Sequence, residues 1–190
     1  MKKSVGARPF IFPYPVFLVG TYDDEDVPNL MTASWGGICC SEPPCINVSL
    51  RKATYSYNNI INRKAFTIAI PSKEQASLAD YFGITSGKNN RKFEDTGLTE
   101  VRSELVDAPY AEEFPMVLEC KLKEYHDLGL HTIFIGEIMD VKVDEEKISP
   151  QGKPDIQKVK PFLFSNPERA YFDIGDEIGK AFSIGRFFKP

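Results

Sequence analysis

No run of about 18 or more apolar residues occurs in this chain, so no segment reads as a membrane-spanning helix. Positive charge is not in excess: 23 lysines and arginines face 27 acids, for a net charge of −4. That balance excludes a chain-wide nucleic-acid surface and makes any anion site a local one. Cysteine is scarce, at four, and no two are spaced as C-x-x-C. The two histidines lie too far along the chain to complete a zinc spacing with them. Cys39, Cys40, Cys45 and Cys120 are expected to be reduced, mostly buried thiols of a cytoplasmic protein. G-x-S-x-G, G-x-x-x-x-G-K-[ST], G-x-G-x-x-G and H-E-x-x-H are all missing. Their absence removes the nucleophile-elbow, P-loop, Rossmann and zinc-protease readings. Internal repeats and low-complexity tracts are absent too. Residues 1–20 look superficially like a signal peptide, but Pro9, Pro13 and Pro15 break the apolar part and no small-residue cleavage site follows. They read as mature sequence.

What is present is an ordinary globular composition, 42% hydrophobic and 26% charged, long enough for one domain with a sizeable core. Residues 1–190 are read as a single domain, with an extended aromatic arm at 1–15 and an aromatic, glycine-rich tail at 162–190. Strands are predicted over 16–21, 28–34, 45–50, 65–70, 116–124 and 132–143, with apolar and polar residues alternating in 45–50, 116–124 and the second half of 132–143. The contiguous acids at 23–26 make a hairpin turn between the first two; they lack the alternation and central glycine of a calcium loop. Residues 41–44 and 126–131 are connections. A short helix is predicted over 54–63, with Tyr57, Ile60 and Ile61 on its apolar stripe. A second starts at Ser72, where Ser72 and Gln75 fit a capping box; Leu78, Ala79 and Phe82 form its buried face and Gly83 its C-terminal turn. Residues 84–108 are a polar excursion with room for one short helix, and 149–161 a polar, proline-rich connection. Six strands with two inserted helices predict a mainly β protein, a closed antiparallel barrel rather than a doubly wound sheet.

One stretch, residues 29–61, concentrates the chemistry. Small and hydroxylated residues surround the only tryptophan, Trp35. An alternating strand then ends in Arg51 and Lys52, with Thr54, Tyr55 and Ser56 at a helix start. Hydroxyls, amides and a cation at a strand end suit a phosphate, and small residues let backbone lie against a flat ring. A plainer reading stands beside this one. Arg51 and Lys52 would then be an exposed strand end, Thr54 a helix cap, and Trp35 and the Met31 strand core.

The segments NLMTASWGG, PPCINVSLRKATYSYNNI and FTIAIPS, in that order, resemble the flavin reductase-like family of FMN-binding split barrels. The flavoredoxin branch is the most similar. SGKNNRKFEDTGL, HTIFIGEIMDVKVDEE and YFDIGDEIGKAFSIGR extend the resemblance over nearly all of residues 10–188. It implies a Greek-key split barrel binding FMN non-covalently near a homodimer interface. Carried onto this chain, it implies one FMN segment at Asn29, Met31, Thr32, Ala33 and Ser34, whose backbone lines the ring. A second is Ser49, Leu50, Arg51, Thr54 and Tyr55, with Arg51 on the phosphate. Lys88 is a further candidate for a phosphate or ring contact. Many flavin reductases carry Gly-Asp-His before the penultimate long strand; here it is Gly129-Leu130-His131. His131 is the one catalytic candidate, against a structural, hydrogen-bonded histidine.

Three functions follow from the resemblance. The first is an FMN enzyme taking electrons from NAD(P)H or a redox partner. The second is an FMN-bearing electron carrier without NAD(P)H oxidation of its own. The third is a barrel that has lost its ligand. Neither nucleic acid nor membrane is an expected partner, and no metal site is expected.

Overall fold

The computed structural model describes residues 1–188. In chain order the strands are β1 (Tyr14–Pro15), β2 (Phe17–Tyr22), β3 (Pro28–Ala33), β4 (Gly36–Ser41) and β5 (Pro44–Arg51). Helix α1 (Tyr55–Arg63) leads to β6 (Ala65–Ile70), then α2 (Ala76–Ile84) and α3 (Lys92–Thr96). Next come β7 (Glu100–Arg102), β8 (Pro109–Ala111), β9 (Met116–Asp127) and β10 (His131–Val143). The chain closes with α4 (Ile156–Val159), β11 (Phe162–Ser165) and β12 (Ala170–Asp173).

Seven strands form one antiparallel sheet in the order β3-β2-β6-β9-β10-β5-β4. The fold is mainly β, the split barrel that the sequence predicts. Its two edges are joined covalently. Ser34 and Trp35 carry the chain from the end of β3 straight to β4, and the Ser49 amide donates to the Trp35 carbonyl at 2.8 Å. Strand β2 is buried along its whole length because both of its faces are covered. Phe17 and Val19 point into the barrel with Val48, Phe66, Ile68 and Phe134. Val16 and Leu18 point outward under Ala79 and Phe82 of α2, Phe93 of α3 and Phe162 of β11. Gly20 in the same strand sits where a Cβ would lie 2.1 Å from the Pro109 carbonyl oxygen, so no larger residue fits that crossing.

The arm does not float free. Tyr14 and Pro15 pair with Phe164 and Leu163, and β12 completes a small three-stranded sheet over the barrel. Phe10, Ile11 and Phe12, ahead of it, stay exposed, as do Phe182, Phe187 and Phe188 in the tail. The last two residues of the predicted tail, 189 and 190, lie outside the described residues.

Several predictions of local structure need correction. Strand β4 occupies a stretch with no assigned element, because two glycines and a bulge after Ile38 destroy its alternation. The expected loop at 41–44 shrinks to a two-residue turn, Glu42 and Pro43, since Ser41 and Pro44 already pair. Cys39 and Cys40 are exposed on this edge strand; only Cys45 and Cys120 are buried. Gly83 does not end α2, which runs one residue further, to Ile84. The connection at 149–161 contains α4, capped by the Asp155 carboxylate accepting from the Gln157 amide at 2.9 Å. The capping pair at Ser72 is as predicted, with its amide donating to Gln75 Oε1 at 2.9 Å, although the turn it opens is 3-10 before α2 begins.

Candidate active site

A cavity of about 440 Å³ opens at the seam where the two barrel edges meet, within the range usual for small-ligand sites. Strand β3 and its exit supply Asn29, Met31, Thr32, Ala33, Ser34 and Trp35. The end of β5 and the start of α1 supply Ser49, Leu50, Arg51, Thr54, Tyr55 and Ser56. The two segments predicted from the sequence are therefore brought together on one cavity. His131, first residue of β10 and register partner of Arg51, joins them. Lys88 does not: it borders a neighbouring depression, and Gly87 takes the place beside it on the cavity wall.

Arg51 ends the cavity. Its backbone carbonyl takes the Thr54 hydroxyl at 2.8 Å and the Thr54 amide at 3.0 Å, which fixes the turn. Its guanidinium is exposed, with no acidic partner among the described residues, whereas Lys52 is tied to Asp127 at 2.5 Å. Because the Thr54 hydroxyl turns back to Arg51, it does not cap α1, and the first turn of α1 holds no acid. An uncapped helix start beside a free guanidinium is a site for an anion.

The cavity also holds a residue that the sequence reading missed. Lys92 of α3 is 2% exposed, and its ammonium donates to the Leu30 carbonyl at 2.7 Å and the Phe82 carbonyl at 3.1 Å. No carboxylate compensates it, and burial brings its pKa down to about 8. A buried cation held by two carbonyls is costly unless something anionic or electron-rich shares the cavity. Among the described residues no aspartate or glutamate lines the cavity.

The walls are cut for a flat ligand. Trp35 is half-buried, not core, and stacks on His131 with ring centroids 4.6 Å apart. Burial, and then the neighbouring Arg51, lower the His131 pKa, so the imidazole is neutral at neutral pH. The Thr32 hydroxyl donates to the Ala79 carbonyl, so only the backbone of that residue is free toward the cavity. The Tyr55 hydroxyl is likewise engaged, at 2.5 Å from Asp23 Oδ2. Asn29 is 2% exposed; its Nδ2 donates to Ser56 Oγ at 3.0 Å, while its Oδ1 is buried without a partner. An unpartnered buried acceptor on the cavity wall fits a ligand bearing an N–H or O–H donor. Gly87 closes against Asn29 and Tyr55 so tightly that a Cβ would lie 2.4 Å from Asn29 Oδ1.

Lys92 gives this electrostatic description a test on the ligand-free protein. Its folded pKa is depressed from 10.5 to about 8, so between those values the unfolded chain holds a proton that the folded chain lacks. Stability must rise with pH through that window. Relative to a Lys92→Met variant, the wild type should gain about 2 kcal/mol of unfolding free energy between about pH 7.5 and 9.5. Urea denaturation at both pH values measures it; equal differences at the two would show that Lys92 is not a desolvated cation.

Comparison with known proteins agrees with this geometry. The sequence profile of the family described as "Flavin reductase like domain" matches residues 9–172. Among solved structures, flavoredoxin of Desulfovibrio vulgaris (Miyazaki F) is 56% identical, with a TM-score of 0.93 over 97% of this chain and 100% of that one. Flavoredoxin from Methanosarcina acetivorans is 30% identical, with a TM-score of 0.93 over 100% of both chains. An FMN-binding protein from Thermus thermophilus, 20% identical over 95% of this chain and 98% of its own, shares the fold at a TM-score of 0.79. A split barrel with a cationic seam cavity, matched by that profile along most of its length, places this chain in the flavin reductase-like family, with flavoredoxins among its relatives.

Proposed function

We propose that the seam cavity binds FMN and that the protein is a redox protein passing electrons from NAD(P)H, or from a redox partner, to an acceptor. The observation that carries this reading is a cavity whose only charged lining residues, among the described residues, are two cations, Arg51 and the buried Lys92. Arg51 and the uncapped start of α1 would hold the phosphate. The backbone of Met31, Thr32, Ala33 and Ser34, with Ser49 and Leu50 opposite, would border the ring, and the free Asn29 Oδ1 would accept from one of its polar hydrogens. Bound there, FMN supplies a centre that accepts and returns two electrons. Lys92 places positive charge inside the same cavity, which favours the electron-richer state of whatever occupies it.

Burial and then the neighbouring Arg51 lower the His131 pKa, and the residue lacks the preceding aspartate of the Gly-Asp-His pattern. Its part here is to hold Trp35 by stacking. That leaves hydride uptake from a nicotinamide without the acid that the Gly-Asp-His pattern supplies. A flavoredoxin-type carrier, reduced by a partner protein, is therefore the second reading. The arm residues Phe10, Ile11 and Phe12 and the tail residues Phe182, Phe187 and Phe188 are more exposed than a lone subunit usually leaves such side chains. We take them as surfaces that a homodimer would cover, in a protein working in the cytoplasm.

Three outcomes test this. Arg51→Ala should weaken FMN binding by about 1–3 kcal/mol, roughly 5- to 150-fold in Kd, in a flavin fluorescence titration. Unchanged affinity would move the phosphate elsewhere. Mixed with NADH or NADPH without air, the yellow protein should lose its visible flavin band within seconds if it is a reductase; only a partner protein should bleach a carrier. Light scattering should give twice the mass of the chain, and a particle of monomer mass would remove the dimer.

A further inference from the structure

We infer that the acidic tip of the β2–β3 hairpin makes the cavity select FMN over FAD, by charge and not by lack of room. This rests on the flavin reading above. Beyond the Arg51 end, a second depression of about 380 Å³ adjoins the seam cavity, and Ala53, Thr54 and Tyr55 line both. A dinucleotide whose first phosphate lay at Arg51 would have space there for its second half. The depression is negative, however. Asp23, Asp24 and Glu25 line it, against Lys52 and Lys88.

The lysines do not balance the acids. Lys52 is already neutralised by Asp127 at 2.5 Å, so Lys88 on the lining and Arg91 beside Asp23 are left against three carboxylates, and the wall keeps a net negative charge. Asp23 is locked in its charged form: its carboxylate accepts from the Tyr55 hydroxyl at 2.5 Å and from the amides of Glu25 and Val27, each at 2.9 Å. Burial pulls its pKa up, but these bonds, with the nearby Arg91, hold it below the usual value. Asp24 accepts from Asn62 Nδ2 at 3.1 Å, an uncharged partner that leaves its charge intact. Glu25 is exposed and has no cation partner among the described residues. Arg63 and Arg102 are spent on Asp26 and Asp107, and Arg91 offsets only part of the remaining charge. An adenosine monophosphate extension would bring a second phosphate and its charge toward this wall, whereas FMN ends at Arg51. Like-charge juxtaposition of this kind discriminates by raising the energy of the wrong ligand.

The test is a titration of flavin-free protein with FMN and with FAD, followed by flavin fluorescence, for the wild type, D24N/E25Q and Glu25→Lys. Asp24 and Glu25 are both exposed, so neither variant removes packing. The wild type should bind FMN at least about tenfold tighter than FAD at low salt, and the gap should narrow in about 0.5 M KCl as the wall is screened. D24N/E25Q should shrink the gap at least about threefold while leaving the FMN affinity near its original value, and Glu25→Lys should shrink it further. Equal affinity of the wild type for both flavins would overturn the inference, and so would a gap that neither variant nor salt alters. Binding of neither flavin would instead refute the flavin reading itself, and this inference with it.

Discussion

Positive charge without a counter-charge is the constraint around which this molecule is arranged. Lys92 is buried among carbonyls, and Arg51 lines the same cavity with no ion pair among the described residues. Desolvating an ammonium costs several kcal/mol when nothing offsets it. Elsewhere the chain pairs its cations readily: Lys52 with Asp127, Arg63 with Asp107, Lys73 with Asp173. Among the described residues the seam cavity has no acid on its lining, and that suits an anionic ligand.

The barrel explains why such a place exists. A sheet that rolled up completely would have no edge, and its interior would be filled by side chains such as Phe66 and Phe134. Here the closure is made by the Ser34-Trp35 crossing in place of a full ladder of hydrogen bonds, and the gap beside it is walled by backbone and small side chains. Helix α1 presents its start to that gap because β5 ends at Arg51 and the turn is pinned by Thr54. Helix α2 and α3 cover the outer face and, in doing so, deliver the Phe82 carbonyl and Lys92 to the same point.

Much of this was legible in the residues. Strands such as β6, a short apolar run stopped by a following proline, fall where the pattern puts them, and so do the two segments that line the cavity. The failures have physical causes. Strand β4 is an exposed edge, so no buried face imposes a period on Gly36, Gly37, Cys39 and Cys40. Gly83 looks like a stop signal, yet its missing side chain faces Thr32, with which a Cβ would be in ordinary contact at 3.4 Å, and the helix runs past it. Lys92 sits in a polar tract, SGKNNRKF, where nothing local tells a buried lysine from a solvated one. Trp35 and His131 are nearly a hundred residues apart and meet only because β10 pairs with β5.

The short sheet that ties Tyr14 and Pro15 to β11 has a consequence for how the chain is made. Its two partners are separated by almost the full length of the polypeptide, so closing it carries a large loop entropy and must follow the local hairpins. During synthesis the barrel strands β2 to β10 are all available before β11 leaves the ribosome. Until then Tyr14 and Pro15 lack their strand partners, and Val16 and Leu18 lack the part of their cover that Phe162 supplies. The last strands to be translated are therefore the ones that make the first strand safe.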